Sequence, residues 1–326
     1  MAGEFDLIRR YLAPLAAEAP GALGLTDDAA LLEPPAGESL VVAADAMVAG
    51  VHFLPDDPPE TVGRKLLRVN LSDLAAMGGR PLGYLMTLAL PPGQAEDWLA
   101  GFAQGLAEDQ AAFGLSVLGG DLTRTDGPIT LSLTILGGVP AGRALRRGSA
   151  RAGDRLYVSG SVGDGTLGLA VLQGDLAALS AEQRAFLGDR YRLPQPRLAL
   201  GRALSERALA TASIDLSDGL LADAGHLAKA SGLALDIEAA RVPCSEAAEA
   251  ALEDRPELAE RLVTGGDDYE LLFTVAAERA SELDALAGEL ALPLTEIGQA
   301  RAGEGVVLRD AGGRVRHPEQ GGWRHF

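Results

Sequence analysis

The chain has 326 residues, 47% of them apolar and 23% charged, a balance typical of a soluble globular protein too long for one small core, so two domains are expected. Its 28 basic and 46 acidic side chains give a net charge of −18, which argues against nucleic acid or an anionic membrane as partner. A lone cysteine, Cys244, rules out an intramolecular disulfide and a cysteine-rich zinc site. No run approaches the roughly 18 apolar residues of a membrane span. The first residues lack the basic-then-apolar layout of a secretory signal, so a cytoplasmic location is expected.

From Glu4 to Glu18, Phe5, Ile8, Leu12 and Leu15 recur at helical spacing, with Pro14 as a kink or terminus. A short strand is expected at Ala29–Leu32. Ser39–Asp45 is an apolar run closed by an aspartate, as in a buried strand. Helices follow at Pro58–Met77 and Ala95–Phe113, and strands at Leu82–Leu90 and Ile129–Val139. Between them lies a short strand, Ser116–Leu118, ending in Gly119-Gly120-Asp121. Pro140–Gly153, rich in Arg, Gly and Ala, is the domain boundary, giving an N-terminal domain over 1–145 and a C-terminal domain over 146–326. Beyond it come a strand (Arg155–Ser159), a glycine-rich turn (Gly160–Gly165), and helices at Ala181–Asp189 and Arg197–Glu206. Ala212–Leu216 and Ala234–Ile237 read as strands around a helix at Gly219–Ser231. Gly265-Gly266-Asp267-Asp268 then precedes a strand (Tyr269–Val275) and a helix near Ala277–Leu286, and short strands and turns finish the chain. The fold class is α+β, with two mixed α/β domains.

Six aspartates, Asp28, Asp45, Asp73, Asp121, Asp215 and Asp218, are expected where an apolar strand meets a turn or a helix. Any one could be a turn or capping residue, and Ser72 in Asn70-Leu71-Ser72-Asp73 could cap a helix while Asp73 faces a metal. Six of a kind point further. Converging carboxylates repel unless cations intervene, and hard oxygen ligands select Mg²⁺. Mg²⁺ held by carboxylates and substrate phosphates would reconcile an acidic protein with a phosphorylated ligand. The Gly160–Gly165 turn could cradle phosphate or simply turn the chain, since it matches no phosphate-loop pattern. Arg147 is either a phosphate clamp or part of a solvated linker. His52 could contact substrate or be structural, and Trp323 could plug an edge or stack on a ligand.

Taken in order, Asp27-Asp28-Ala29-Ala30, Ala44-Asp45 with Gly50-Val51-His52-Phe53-Leu54, Val69-Asn70-Leu71-Ser72-Asp73, Gly119-Gly120-Asp121, Ile214-Asp215-Leu216-Ser217-Asp218-Gly219, Gly266-Asp267-Asp268-Tyr269-Glu270 and the Gly-Trp-Arg-His-Phe terminus resemble the thiamine-monophosphate kinase family, within the aminoimidazole ribonucleotide synthetase superfamily. The resemblance spans essentially the whole chain. It implies transfer of the ATP γ-phosphoryl group to thiamine monophosphate, giving thiamine diphosphate and ADP, in a homodimer built through the N-terminal domain. It further implies several Mg²⁺ ions held by Asp28, Asp45, Asp73, Asp121, Asp215 and Asp218, the C-terminal domain completing the site. ATP would be contacted by Gly120, Asp121, Arg147 and Ser217, and the thiamine moiety by His52, Asp267 and Trp323. Two departures stand out. Ala43 and Ala44 occupy positions often hydroxylated in the family, and Asp267 stands where relatives often have Glu. Rival readings are another enzyme of the superfamily, of the selenophosphate or aminoimidazole ribonucleotide synthetase type, and a non-catalytic nucleotide-binding scaffold. The absence of a cysteine near the N-terminus speaks against the selenophosphate branch, and the full aspartate set against a scaffold.

Overall fold

The structure, a computed structural model, describes residues 4–93, 96–316 and 322. The chain divides into two compact units, Met1–Leu74 with Gly79–Gly142, and Ala75–Gly78 with Arg143–Phe326.

In the first unit, α1 (Glu4–Leu7) runs into a π-helical turn (Ile8–Leu12) and a 3-10 turn (Ala13–Ala16). The expected helix is there but irregular, because Pro14 has no amide to donate and the chain tightens around it. The strand expected at Ala29–Leu32 is absent: the Leu31 amide donates to Gly21 O at 2.8 Å and joins no sheet. A four-stranded sheet follows, built from β1 (Glu38–Val48), β2 (Arg80–Leu90), β3 (Val117–Arg124) and β4 (Thr130–Pro140) in the order β1-β4-β2-β3. β2 pairs with β3 in parallel, and β4 pairs with β1 and β2 antiparallel.

Alternation along β4 decides the two faces of this sheet. Leu131, Leu133 and Ile135 are fully buried, while Ser132, Thr134 and Leu136 point the other way. Helix α2 (Pro59–Ala76) lies on the buried side, where Asn70 Oδ1 accepts the Asp45 amide of β1 at 3.2 Å. Helix α3 (Glu96–Phe113) packs on α2 through a buried ion pair, with Arg68 Nε 2.6 Å from Asp109 Oδ2. Two bonds from Arg68 and one from Arg64 satisfy the Asp109 carboxylate, which is what allows that charge to be buried. The far side of the sheet leaves Leu40, Val42 and Leu85 exposed.

The second unit carries a seven-stranded sheet of β5 (Arg155–Ser159), β6 (Ala210–Asp215), β7 (Ala234–Glu238), β8 (Leu271–Val275), β9 (Leu294–Arg301), β10 (Gly305–Arg309) and β11 (Val315–Arg316). Their order is β11-β10-β7-β9-β5-β8-β6. One cluster joins α7 (Leu220–Ser231) to the sheet through Leu220, Ala224 and Leu227 against Ile214, Leu235 and Ile237. Another joins α6 (Leu198–Glu206) and α10 (Glu282–Leu290) to Tyr157, Leu271 and Phe273. A third holds α4 (Asp164–Leu172), α5 (Ala181–Arg192), α8 (Glu246–Asp254) and α9 (Leu258–Thr264) together. Three elements depart from expectation. Ala277–Arg279 is a 3-10 turn separate from α10, and α8 and α9 were not foreseen.

Candidate active site

The first unit spreads its expected ligands over both faces of its sheet. Asp45 shares a row with Leu133 and Met86, both buried, and therefore points toward the side covered by α2. Asp73 sits one helical turn beyond Asn70, the residue that holds the Asp45 amide, so α2 brings Asp73 to the same region of β1. Asp121 pairs with Thr87, and Thr87 with Ser132, on the opposite face. There a cavity of about 610 Å³ is lined by Asp27, Asp28, Thr87, Gly120, Asp121 and Ser132 among others. Asp28 and Asp121, distant in sequence, thus open onto one cavity.

Gly120 is fixed by geometry. Its φ is +152°, and a Cβ there would fall 1.8 Å from Met86 O. Any side chain would push β3 off β2.

His52 lies just past β1. Its Nδ1 accepts the Val48 amide at 3.1 Å, which puts the proton of the neutral ring on Nε2. The ammonium of Lys65, a buried residue, donates to His52 O at 3.0 Å and fixes the loop from below.

In the second unit, Asp215 closes β6, and Ser217 and Asp218 form the turn into α7. Asp223 from the first turns of that helix reaches back, its Oδ2 accepting the amides of Asp218 and Gly219 at 3.1 Å each. Burial, then the charges of Asp215 and Asp218, raise the Asp223 carboxyl to about 8. Asp218, Asp223 and His226 bring ligand atoms within 4.8 Å of one another. Two carboxyl groups and an imidazole this close make a donor set that a divalent cation fits.

The segment Gly265–Glu270 runs alongside this turn. Asp267 N–H donates to Ser217 O (3.0 Å), Tyr269 N–H to Leu216 O (2.8 Å), and Leu216 N–H to Glu270 O (2.9 Å). Gly266 passes so close that a Cβ would sit 2.2 Å from Ser217 O. Asp267 and Tyr269 both adopt left-handed backbones, at φ +72° and +53°. Each such residue stores on the order of 1–3 kcal/mol and persists only where its surroundings dictate it. Here they do: the Asp268 carboxyl group, fully buried, accepts the amides of Gly163 (2.8 Å) and Gly165 (3.0 Å). That resolves the Gly160–Gly165 turn, whose Gly163 and Gly165 amides serve Asp268 and not a phosphate.

Several expectations need correction. The aspartates do not all stand at strand ends: Asp45 is within β1, Asp121 within β3 and Asp73 within α2. Ser72 does not stand at the start of a helix, being fully buried in the last turns of α2. Arg147 opens a 3-10 turn whose carbonyl accepts from Ser231 Oγ at 2.8 Å, at the end of α7 opposite Asp218. Trp323 lies outside the described residues. Asp223 and His226 were missed, although an acidic residue five positions after Asp218 and a histidine one turn on are visible in the sequence.

The two units match a known pair. Residues 26–139 fit the family model of the AIR synthase related protein N-terminal domain, and residues 151–311 that of its C-terminal domain. The chain is 44% identical to the thiamine-monophosphate kinase of Caulobacter vibrioides over 325 residues, covering 99% of this chain and 90% of that protein. It belongs to the thiamine-monophosphate kinase family. The crystal structure of the Stenotrophomonas maltophilia K279a enzyme is similar at TM-score 0.84 and 43% identity, covering 94% of this chain and 96% of that one. A structure of AaThiL complexed with AMPPCP and TMP matches at TM-score 0.79 and 33% identity, over 99% of this chain and 97% of that one.

Proposed function

We propose that the protein transfers the γ-phosphoryl group of ATP to thiamine monophosphate, forming thiamine diphosphate and ADP. The observation that carries this reading is full-length similarity to a protein solved with an ATP analogue and TMP together. In the transfer, a bond forms between the γ-phosphorus and a phosphate oxygen of thiamine monophosphate, and the bond to the β,γ-bridging oxygen breaks. A phosphate acceptor, with its second pKa near 6, is already ionised at neutral pH, so no general base is required. The chain's task is to bring two anions together and orient them.

Asp28, Asp45, Asp73 and Asp121 in the first unit, and Asp215 and Asp218 in the second, are the residues that would hold Mg²⁺. Bound Mg²⁺ would neutralise the phosphate oxygens and stabilise the charge that develops in transfer. Gly120, Asp121, Arg147 and Ser217 are assigned to ATP. His52, Asp267 and Trp323 are assigned to the thiamine moiety, whose cationic ring suits a carboxylate and an indole face. Its proposed substrates are metabolites of the cytoplasm, where we place the protein. A homodimer formed through the first unit is supported by the exposed Leu40, Val42 and Leu85 on one sheet face.

Phosphorus NMR of the purified protein with MgATP and thiamine monophosphate tests the reading. Thiamine diphosphate and ADP signals are expected. AMP, or no reaction, would overturn it.

A further inference from the structure

The buried Glu270 carboxylate is the most heavily bonded acid in the Gly265–Glu270 segment. It accepts from Arg190 Nη2 at 2.9 Å, from Arg197 Nε at 2.6 Å and again from Arg197 Nη2, and from Ser159 Oγ at 2.6 Å. Arg190 also faces Asp164 at 3.7 Å, and Asp164 in turn accepts from Ser161 Oγ and Ser245 Oγ, each at 2.5 Å. Ser159 Oγ meanwhile accepts the Leu271 amide at 2.9 Å, which fixes the entry into β8. Asp268 and Glu270 alternate with Asp267 and Tyr269 along the segment. The first two are buried and gripped, and the other two are half-buried with left-handed backbones. Two gripped carboxyl groups on either side of Tyr269 over-determine its backbone, and Asp268, next in the chain to Asp267, carries that constraint to Asp267.

We infer that Arg190 and Arg197 are positioning residues for substrate recognition. Through Glu270 they hold Asp267 in the backbone conformation from which its carboxylate meets the organic, cationic part of the phosphate-acceptor substrate. This rests on the proposed role of Asp267 as a substrate contact. Neither arginine touches substrate. Their guanidinium groups fix the far end of the segment, and the bidentate Arg197 fork sets its angle in a way an ammonium cannot reproduce.

The test is a double-mutant cycle on steady-state constants. Arg197→Lys is expected to raise the KM for thiamine monophosphate about tenfold, with the KM for ATP changed less than about twofold. In an Asp267→Ala background the same Arg197→Lys change should have no further effect on that KM, because the residue it positions is gone. Additive effects in the cycle, or equal increases in both KM values, would overturn the inference and leave Arg197 a purely structural residue. If Arg197→Lys does not yield folded protein, Arg190→Lys is taken through the same cycle. A parent protein that makes no thiamine diphosphate sinks the functional reading and this inference with it. An active parent with an additive cycle sinks the inference alone.

Discussion

The two units handle carboxylates in opposite ways. In the first, Asp28 and Asp121 are exposed and line one cavity. In the second, Asp164, Asp268 and Glu270 are buried, and serine hydroxyls, backbone amides and arginines saturate their oxygens. An open carboxylate is free to recruit a cation from solution. A buried one, each oxygen already accepting a hydrogen bond away from solvent, instead fixes the backbone that holds it. Asp215 and Asp218 sit between these extremes, at a strand end and turn that Asp223 organises. An acidic protein can therefore contain both a cation site and a rigid frame made from the same residue type.

The largest effect should come from the proposed cation ligands. Asp73→Asn is expected to lower kcat roughly 100- to 1,000-fold while leaving circular dichroism and the melting temperature nearly unchanged. An unfolded variant that keeps its specific activity per folded molecule would remove Asp73 from the site. In the saturated set the order reverses. Glu270→Gln leaves two nearly buried arginines facing a neutral group and should lower stability by about 3 kcal/mol in urea unfolding. A loss below about 1 kcal/mol would mean that solvent already reaches those guanidinium groups.

Gly120→Ala tests the frame of the open set, and a loss of roughly 2 kcal/mol is expected because the added carbon collides with Met86 O. A further effect concerns pH. Burial raises Asp268 from its ordinary 3.8 to about 8, so the folded protein keeps a proton that the unfolded chain releases. The associated stability is complete below about 3.8, falls as pH rises toward about 8, and changes no further above it. Melting curves at pH 5 and pH 9 should therefore differ less for Asp268→Asn than for the parent. An unchanged difference would show that Asp268 is ionised throughout.

The sequence made much of this legible, and its failures have physical causes. Periodicity located α2, α3, β4, β5 and α7 because each carries a clear apolar pattern on its buried face. It cut β3 short at Leu118, since Gly119-Gly120 signals a turn. In the folded sheet that glycine pair instead lets β3 lie against β2. Asn70–Asp73 looked like a helix start because Asn, Ser and Asp favour caps. Burial of Asn70 and Ser72 late in α2 comes from tertiary contacts that local propensity does not encode. Helix α8 left a readable signal in Ser245, which caps it by accepting the Ala248 amide, followed by acidic residues in the first turn. The bonds of Arg190 and Arg197 to Glu270 span 80 and 73 residues, so no local pattern could announce them.

The contrast between open and saturated carboxylates is tested most directly by Mn²⁺ binding, followed by electron paramagnetic resonance in the presence of AMPPCP. Asp121→Asn should weaken Mn²⁺ binding at least about tenfold, whereas Glu270→Gln, read on the folded fraction, should leave it within about twofold. Equal weakening by both variants, or no loss on changing Asp121, would contradict the account.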